Sequence, residues 1–165
     1  AGHGYPDELT KEAYLIPVDV EATELKYALK LKEVYQRLSE YQSKKVLVFL
    51  DACFSGGARN QGLLASRGIK IKPKEETLKG NMVVLSAVTS DQSSLPYKEK
   101  GHGIFTYFLL KALKDSKGDI TLGKMAQNLQ EEVSVKSILV NSKEQTPTVI
   151  SAPALGESWK EWKIK

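Results

Sequence analysis

The apolar run at residues 46–50, Val-Leu-Val-Phe-Leu, constrains the fold of this chain more than any other segment. An unbroken apolar run of this length is typical of a central strand in a parallel sheet that is covered on both faces. It continues directly into an acid, a thiol and a glycine turn, namely Asp51, Cys53, Ser55, Gly56 and Gly57. Because open α/β sheets bind their ligands at the carboxyl ends of the strands, we expect the functional site at this edge.

Further apolar patterns predict a layered α/β domain. Helical periodicity is present over residues 24–41, 103–114 and 121–133, and short apolar strands are expected at 82–85 and 148–150. Strands and helices that alternate in this way are typical of an α/β fold. Residues 57–80 are rich in glycine, lysine and arginine, and we interpret them as a long surface loop, which in a compact domain is usually functional.

Composition narrows the classes of function. The 165 residues suffice for one domain with a sizeable core, and no apolar run approaches the roughly 18 residues of a membrane span. The net charge of +4 comes from lysines scattered along the chain, which argues against a nucleic-acid site. The single cysteine excludes an internal disulfide, and the start of the sequence does not resemble a secretory leader, so we predict a cytoplasmic protein.

Cys53 is the candidate nucleophile, with a buried small hydrophobic residue as the alternative interpretation. A nucleophilic thiol needs a base, and the chain has two histidines. His3 lies between two glycines, which allow close approach of the backbone to a ligand. His102 directly precedes a predicted helix, whose N-terminus disfavours an imidazolium. We therefore expect His3, rather than His102, to be the partner of Cys53.

Four segments resemble the caspase-like cysteine peptidases, the group that contains caspases, metacaspases and paracaspases. AGHG at residues 1–4 is similar to the histidine motif, and YLIPVD at 14–19 is similar to the segment that follows it. VLVFLDACFSG at 46–56 is similar to the nucleophile strand, in the DAC form typical of metacaspases and bacterial members. SAVTSDQSSLPY at 86–97, followed by GHGIFTYFLLKAL, is similar to the pocket loop and the helix after it.

The resemblance implies a fold and a division of the chain. The expected fold is a three-layer α/β sandwich with a mostly parallel sheet. Residues 1–56 would be large-subunit-like, 57–80 a processing loop and 81–165 small-subunit-like. The resemblance also implies that the strands before the histidine motif are missing from these residues, so that a separate chain or a swapped dimer would cover the open sheet edge.

Catalytic roles also follow from the resemblance. About fifty residues separate His3 from Cys53, as in the caspase pattern. Cys53 would attack the peptide carbonyl and His3 would protonate the leaving amine. The N–H groups of Gly4 and Cys53 would bind the oxyanion. Some relatives need calcium, but no acidic cluster with ligand spacing supports a calcium site or another metal site in this sequence.

Two differences from caspases change the expected substrate. Asp51 stands where caspases have a glutamine, and Pro96 stands where their pocket loop has an arginine. An acidic pocket favours cleavage after Arg or Lys and repels a substrate aspartate. Asp91 is interpreted either as a second pocket carboxylate or as a turn acid. Asp51 has the alternative role of a structural hydrogen-bond acceptor.

The expected substrate is a protein or peptide. Ser94 and Leu95 are predicted to line the groove and to pair with the substrate as with an added strand. Basic residues in the loop at 57–80 are candidate self-cleavage sites, foremost Arg59, Arg67 and Lys72. No membrane or nucleic-acid partner is expected.

Two other functions stay open at this point. A caspase-like domain with little catalytic activity could act as a protein-interaction module, although such a module has no need of both His3 and Cys53. A ligand-sensing α/β module without peptidase activity would not need a lone thiol at a strand end. The rate of thiol alkylation discriminates between them, because an activated cysteine reacts faster than a buried one.

Overall fold

The computed structural model describes residues 2–21, 24–54, 72–74, 76–89 and 92–165. In chain order the elements are β1 (His3–Pro6), β2 (Ala13–Ile16), β3 (Leu29–Lys30), α1 (Leu31–Ser39), β4 (Val46–Leu50), β5 (Met82–Ser86), β6 (Pro96–Tyr97), β7 (His102–Gly103), α2 (Ile104–Ser116), α3 (Leu122–Asn141) and β8 (Thr148–Ser151). The predicted helices at 103–114 and 121–133 and the predicted strands at 82–85 and 148–150 therefore all form.

The main sheet has the strand order β4–β5–β8 within the described residues. β4 and β5 are parallel, and β8 is antiparallel to β5. The central position belongs to β5, in which Met82 and Leu85 are almost completely buried. All of β4 is only half-buried, because it lies at the edge of this sheet. The prediction that residues 46–50 form a central strand is wrong for this part of the chain, since an apolar run reports burial of side chains and not the number of paired neighbours.

Helices cover both faces of the main sheet, which confirms the three-layer α/β architecture. Alternate residues of β4 face opposite layers, as expected for a strand. Leu47 and Phe49 contact the hydrophobic cluster around α2 and α3. Val48 contacts the cluster that contains Leu31 and Tyr35 of α1. No helix of the described chain has the length and apolar character needed to cross a bilayer.

The helix predicted over residues 24–41 is shorter than its sequence pattern indicates. The α-helix spans Leu31–Ser39, and a short strand precedes it. In that strand Leu29 pairs with Leu15 of β2, and its neighbour Lys30 forms an ion pair with Glu12. Pairing with a distant strand therefore replaces the first turns of the helix, which is a tertiary effect that overrides local propensity.

The histidine motif lies in a small antiparallel sheet whose strand pairing the sequence pattern did not predict. β1, β2 and β3 pair in that order, with His3 opposite Ile16. The polar composition of residues 5–13 is typical of a loop, but Tyr5 and Pro6 continue β1 and Ala13 begins β2. The connecting turn is organised by Asp7, whose carboxylate accepts hydrogen bonds from the N–H groups of Leu9 (3.0 Å) and Thr10 (2.6 Å).

The end of the predicted loop at 57–80 packs against the domain. Leu78 is buried in the cluster beside α1, and the N–H of Lys74 donates to the carbonyl of Lys11 at 2.8 Å. Lys72 is exposed. Arg59 and Arg67 lie outside the described residues.

The C-terminal part closes the core around α3. Thr121 caps this helix as its position predicts, because its hydroxyl accepts from the N–H of Lys124 at 3.3 Å. The tail carries no readable periodicity because it consists of short turns, yet Trp159 is buried against the helices. The carbonyl of Trp162 accepts from the N–H of Leu122 at 2.6 Å, which ties the tail to the start of α3.

The turn at Asp7 predicts a pH dependence of stability. Hydrogen bonds from the backbone and side chain of Thr10 hold the pKa of Asp7 below its usual value. A carboxyl with a depressed pKa in the folded state stabilises the protein above its unfolded pKa, and this contribution is lost as the pH falls through the folded pKa. Urea denaturation should therefore show Asp7→Asn to be less stable than the wild type at about pH 6, with the difference closing below about pH 3.

Asp115→Asn, at an exposed position on α2, serves as the control for loss of one surface carboxylate. An Asp7→Asn deficit that stays constant down to the lowest pH would contradict this explanation.

Candidate active site

The four residues after β4 alternate between the two faces of the sheet. Cys53 belongs to the hydrophobic cluster on the α2 side, and Asp51 forms its contacts with the start of α2. Ala52 and Phe54 line a recess on the α1 side. The strand end therefore presents a thiol and a carboxylate together on one face, in the position predicted for the functional site.

The Asp51 carboxylate is buried and is held by three side-chain and backbone donors. Oδ1 accepts a short hydrogen bond from the hydroxyl of Ser94. Oδ2 accepts from the hydroxyl of Thr106 at 2.6 Å and from its N–H at 3.2 Å. Because Thr106 lies in the first turn of α2, the carboxylate also faces the positive end of that helix. The structural acceptor role considered for Asp51 is therefore present.

Sequence reasoning missed Gly103 and Thr106 as members of this site. A Cβ added at Gly103 would overlap the Asp51 carboxyl, and it would lie 2.9 Å from its Cγ. Only a glycine lets the chain before α2 pass this close. A signal was available, since the first turn of α2 contains no acid of its own and a carboxylate from elsewhere stabilises such a helix end.

The segments that carry His3 and Cys53 lie against each other. The N–H of Gly2 donates to the carbonyl of Asp51 at 3.1 Å, and a Cβ at Gly4 would lie 2.6 Å from the carbonyl oxygen of Cys53. His3 is exposed and Cys53 is 7% exposed. No hydrogen bond joins the imidazole to the thiol in the described residues.

His102, the other histidine, lies in the β6–β7 hairpin opposite Tyr97 and is exposed. The chain segment around it contributes Gly103 to the environment of Asp51. No backbone contact of the kind seen between Gly2 and Asp51 joins His102 to the strand end in the described chain. Both histidine-bearing segments therefore lie near the strand end, and the His3 segment is the one that forms a backbone hydrogen bond to it among the described residues.

The pocket loop, defined here as residues 87–97 and described at 87–89 and 92–97, carries two of the predicted groove residues. Ser94 and Leu95 are both buried, at 3% and 8% exposure. The N–H of Leu95 donates to the side chain of Gln145 at 2.8 Å, and its carbonyl accepts from the N–H of Ile104 at 3.0 Å. Proline has no N–H, so Leu95 and Pro96 together offer no free donor to an added strand.

The apolar recess on the α1 side has a volume of about 140 Å³. Its walls include Leu50, Ala52, Phe54 and Tyr35, with Glu76 at the same opening. Burial raises the pKa of Tyr35, and the Glu76 carboxylate raises this pKa further. The recess is thus adjacent to the nucleophile segment but lies on the opposite face from Asp51.

Some predicted site residues cannot be located. Asp91, Arg59 and Arg67 lie outside the described residues. Within the described chain, no three His, Cys, Asp or Glu side chains come together as a metal would require.

The contact at Gly4 predicts that its position tolerates no side chain. Gly4→Ala would place a methyl group against the Phe54 ring and the Cys53 carbonyl, so overpacking should cost about 1–3 kcal/mol. Gly2→Ala is the matched control, because no atom lies within 4 Å of a Cβ at Gly2. Urea denaturation should separate the two variants, and equal stability of both would contradict the described packing of the histidine and nucleophile segments.

Comparisons with known proteins identify the family and the fold of this chain. The family model described as Caspase domain matches residues 1–155. Protein GSU0716 from Geobacter sulfurreducens has a similar structure, with a TM-score of 0.62 and 19% identity, over 98% of this chain and 67% of that one. Caspase-1 from Spodoptera frugiperda is similar with a TM-score of 0.59 and 15% identity, over 91% of this chain and 56% of its own. Comparison with curated proteins gave no match.

The two structures establish a shared fold, because their sequence identities are low. The family match covers nearly all of the sequence and includes both His3 and Cys53. The chain therefore belongs to the caspase domain family of cysteine peptidases.

Proposed function

We propose that this protein is a cysteine endopeptidase of the metacaspase type that cleaves protein substrates after Arg or Lys. The observation that carries the specificity is the buried Asp51 carboxylate, two residues before Cys53. Ser94 and Thr106 donate hydrogen bonds to it, but no cationic side chain of the described residues forms an ion pair with it. Buried carboxylates are rarely left without a cation, and a substrate guanidinium or ammonium group would supply one.

The proposed chemistry uses Cys53 and His3. The Cys53 thiolate forms a bond to the scissile carbonyl carbon, and the electron pair of the C=O bond moves to the oxygen. The N–H groups of Gly4 and Cys53 stabilise that oxyanion. Its collapse breaks the C–N bond, and the amine leaves with a proton from the His3 imidazolium. Water, deprotonated by His3, then hydrolyses the thioester, releases the carboxylate product and regenerates the thiol.

Exposure of the two groups is compatible with these roles. His3 is exposed, so hydrolytic water reaches its ring. Cys53 is mostly covered, so the nucleophile is shielded from solvent before a substrate enters. Gly4 lies against the Cys53 carbonyl, and this proximity of the two residues supports the proposal that their N–H groups act together.

The proposed groove needs backbone partners other than the Leu95 N–H. That group donates to Gln145, and Pro96 has no N–H. Ser94 remains a proposed lining residue of the groove through its hydrogen bond to Asp51, and Asp91 remains a proposed second acid. We also propose self-processing after Arg59, Arg67 or Lys72, a cytoplasmic location, and completion of the β4 edge by another polypeptide or a second copy.

The charge of Asp51 predicts the substrate preference. Fluorogenic peptides that end in Arg or Lys should be cleaved, and the matched Asp peptide should not, because its carboxylate would be buried beside Asp51. Asp51→Asn should lower kcat/KM for the Arg peptide by at least about thirtyfold, since it removes one partner of a buried charge pair. Because hydroxyl donors can rotate to accept from the new amide, the free energy of unfolding should change by only about 1 kcal/mol.

Asp119→Asn, at an exposed ion pair with Lys163, is the matched control and should leave the rate unchanged. Cys53→Ala should be inactive on every peptide. Faster cleavage of the Asp peptide than of the Arg peptide would refute the proposed specificity.

Self-processing predicts two fragments from an active chain. Intact-mass measurement should detect cleavage between residues 57 and 80 in the wild type and a single full-length mass in Cys53→Ala. Replacement of Arg59, Arg67 and Lys72 together by glutamine should preserve the full-length mass and the activity on small peptides. If the wild type stays whole while it cleaves added peptides, self-processing is excluded.

The alternative function, partner binding without cleavage, has some support in the low exposure of Cys53. It predicts that iodoacetamide modifies Cys53 no faster than it modifies a buried thiol and that no peptide is cleaved. The peptide series and the alkylation rate together decide between the two functions.

A further inference from the structure

Gln145 is completely buried, and its side chain joins two points of the pocket loop. Its Oε1 accepts from the N–H of Leu95 at 2.8 Å, and its Nε2 donates to the carbonyl of Ala87 at 3.1 Å. Ala87 directly follows β5, and Leu95 directly precedes β6. One planar amide therefore fixes the separation of the two ends of the loop.

Gln145 is itself held rigidly by the element behind it. Its N–H donates to the hydroxyl of Ser137 on α3 at 3.0 Å, and Ser137 is also completely buried. The Ser137 hydroxyl donates in turn to the carbonyl of Ser134 within the same helix, at 2.9 Å. Gln145 is thus anchored to a long helix of the core.

Neighbouring residues hold the same loop at further points. The N–H of Thr146 donates to Oε1 of Gln92 at 2.7 Å, and Nδ2 of Asn141 donates to the carbonyl of Pro96 at 3.0 Å. The hydroxyl of Thr148 donates to the carbonyl of Val88 at 3.4 Å. These contacts lie nearer the surface, whereas both contacts made by the Gln145 side chain are buried. Loss of a buried contact leaves a group that water cannot satisfy.

We infer that Gln145 is a positioning residue for the substrate pocket, which holds Ser94 against Asp51 by fixing the neighbouring Leu95. It acts through the loop and does not contact the substrate. The inference rests on the proposed function, because it assumes that the Asp51 side of the loop receives the basic side chain. A glutamine is required because one group must accept from Leu95 while another donates to Ala87.

Two substitutions separate these contacts. Gln145→Leu has a similar volume and leaves both the Leu95 N–H and the Ala87 carbonyl unsatisfied. Gln145→Glu keeps an acceptor for Leu95 and, when ionised, has no donor for Ala87. Gln127→Leu is the matched control, because Gln127 lies on the exposed face of α3 and, among the described residues, its side chain bonds to Glu131 and Lys124.

Steady-state kinetics on the Arg peptide provide the first test, after titration of active Cys53. Gln145→Leu should raise KM about tenfold or more and change kcat by less than about threefold, because the pocket and not the nucleophile is displaced. Gln145→Glu should give a smaller increase, and Gln127→Leu should give none. The alkylation rate of Cys53 should be unchanged in all three variants. Lower kcat with unchanged KM would overturn the positioning role in favour of a purely structural one.

Amide hydrogen exchange gives a second readout that needs no activity. The Leu95 N–H should exchange at least about tenfold faster in Gln145→Leu than in the wild type, since a buried donor has lost its acceptor. Equal protection in the two proteins would overturn the inference. If the wild type cleaves no peptide, the proposed function fails while the exchange measurement still decides whether Gln145 holds the loop. If Gln145→Leu does not fold, Gln145→Met, which also lacks the amide but has a more flexible side chain, enters both comparisons in its place.

Discussion

The hydrogen bonds to the buried Asp51 carboxylate are the interaction on which the arrangement of the site depends. They connect the end of β4 to the pocket loop through Ser94 and to the start of α2 through Thr106. Gly103 lies directly against the carboxyl, so the chain before α2 cannot move closer without displacing it. Apolar packing brings these elements together, but it is non-directional, and the carboxylate supplies the directional contacts that set their relative positions.

Two buried polar side chains, Asp51 and Gln145, each hold one of two adjacent residues of the pocket loop. Asp51 accepts from Ser94, and Gln145 accepts from the adjacent Leu95. In a buried environment each missing partner would leave an unsatisfied group, so both contacts resist rearrangement of the loop. The pocket is therefore built from the nucleophile strand on one side and the segment that follows α3 on the other, two parts of the chain almost a hundred residues apart.

His3 belongs to a different sheet from the strand that precedes Cys53. The sheet of β1, β2 and β3 presents His3, and the Gly2 and Gly4 contacts attach that sheet to residues 51–54. A side chain at Gly4 would separate the two segments, which explains why a glycine follows the histidine here. The proposed catalytic pair thus depends on close backbone packing between the segments that carry His3 and Cys53.

The sequence alone predicts most of the helices and strands of this protein and the family to which it belongs. The periodicity of 103–114 and 121–133 and the apolar strand at 82–85 predict elements that form, because periodicity reflects which side of each element is buried. The motifs around His3 and Cys53 indicate the family because each motif lies within one short stretch of the sequence. Tertiary structure decided the remainder: that β4 is an edge strand, that Leu29 pairs with β2 instead of joining α1, and that Gln145 and Thr106 complete the site. Those outcomes depend on which distant segments meet, and a pattern within one segment contains no information about its partners.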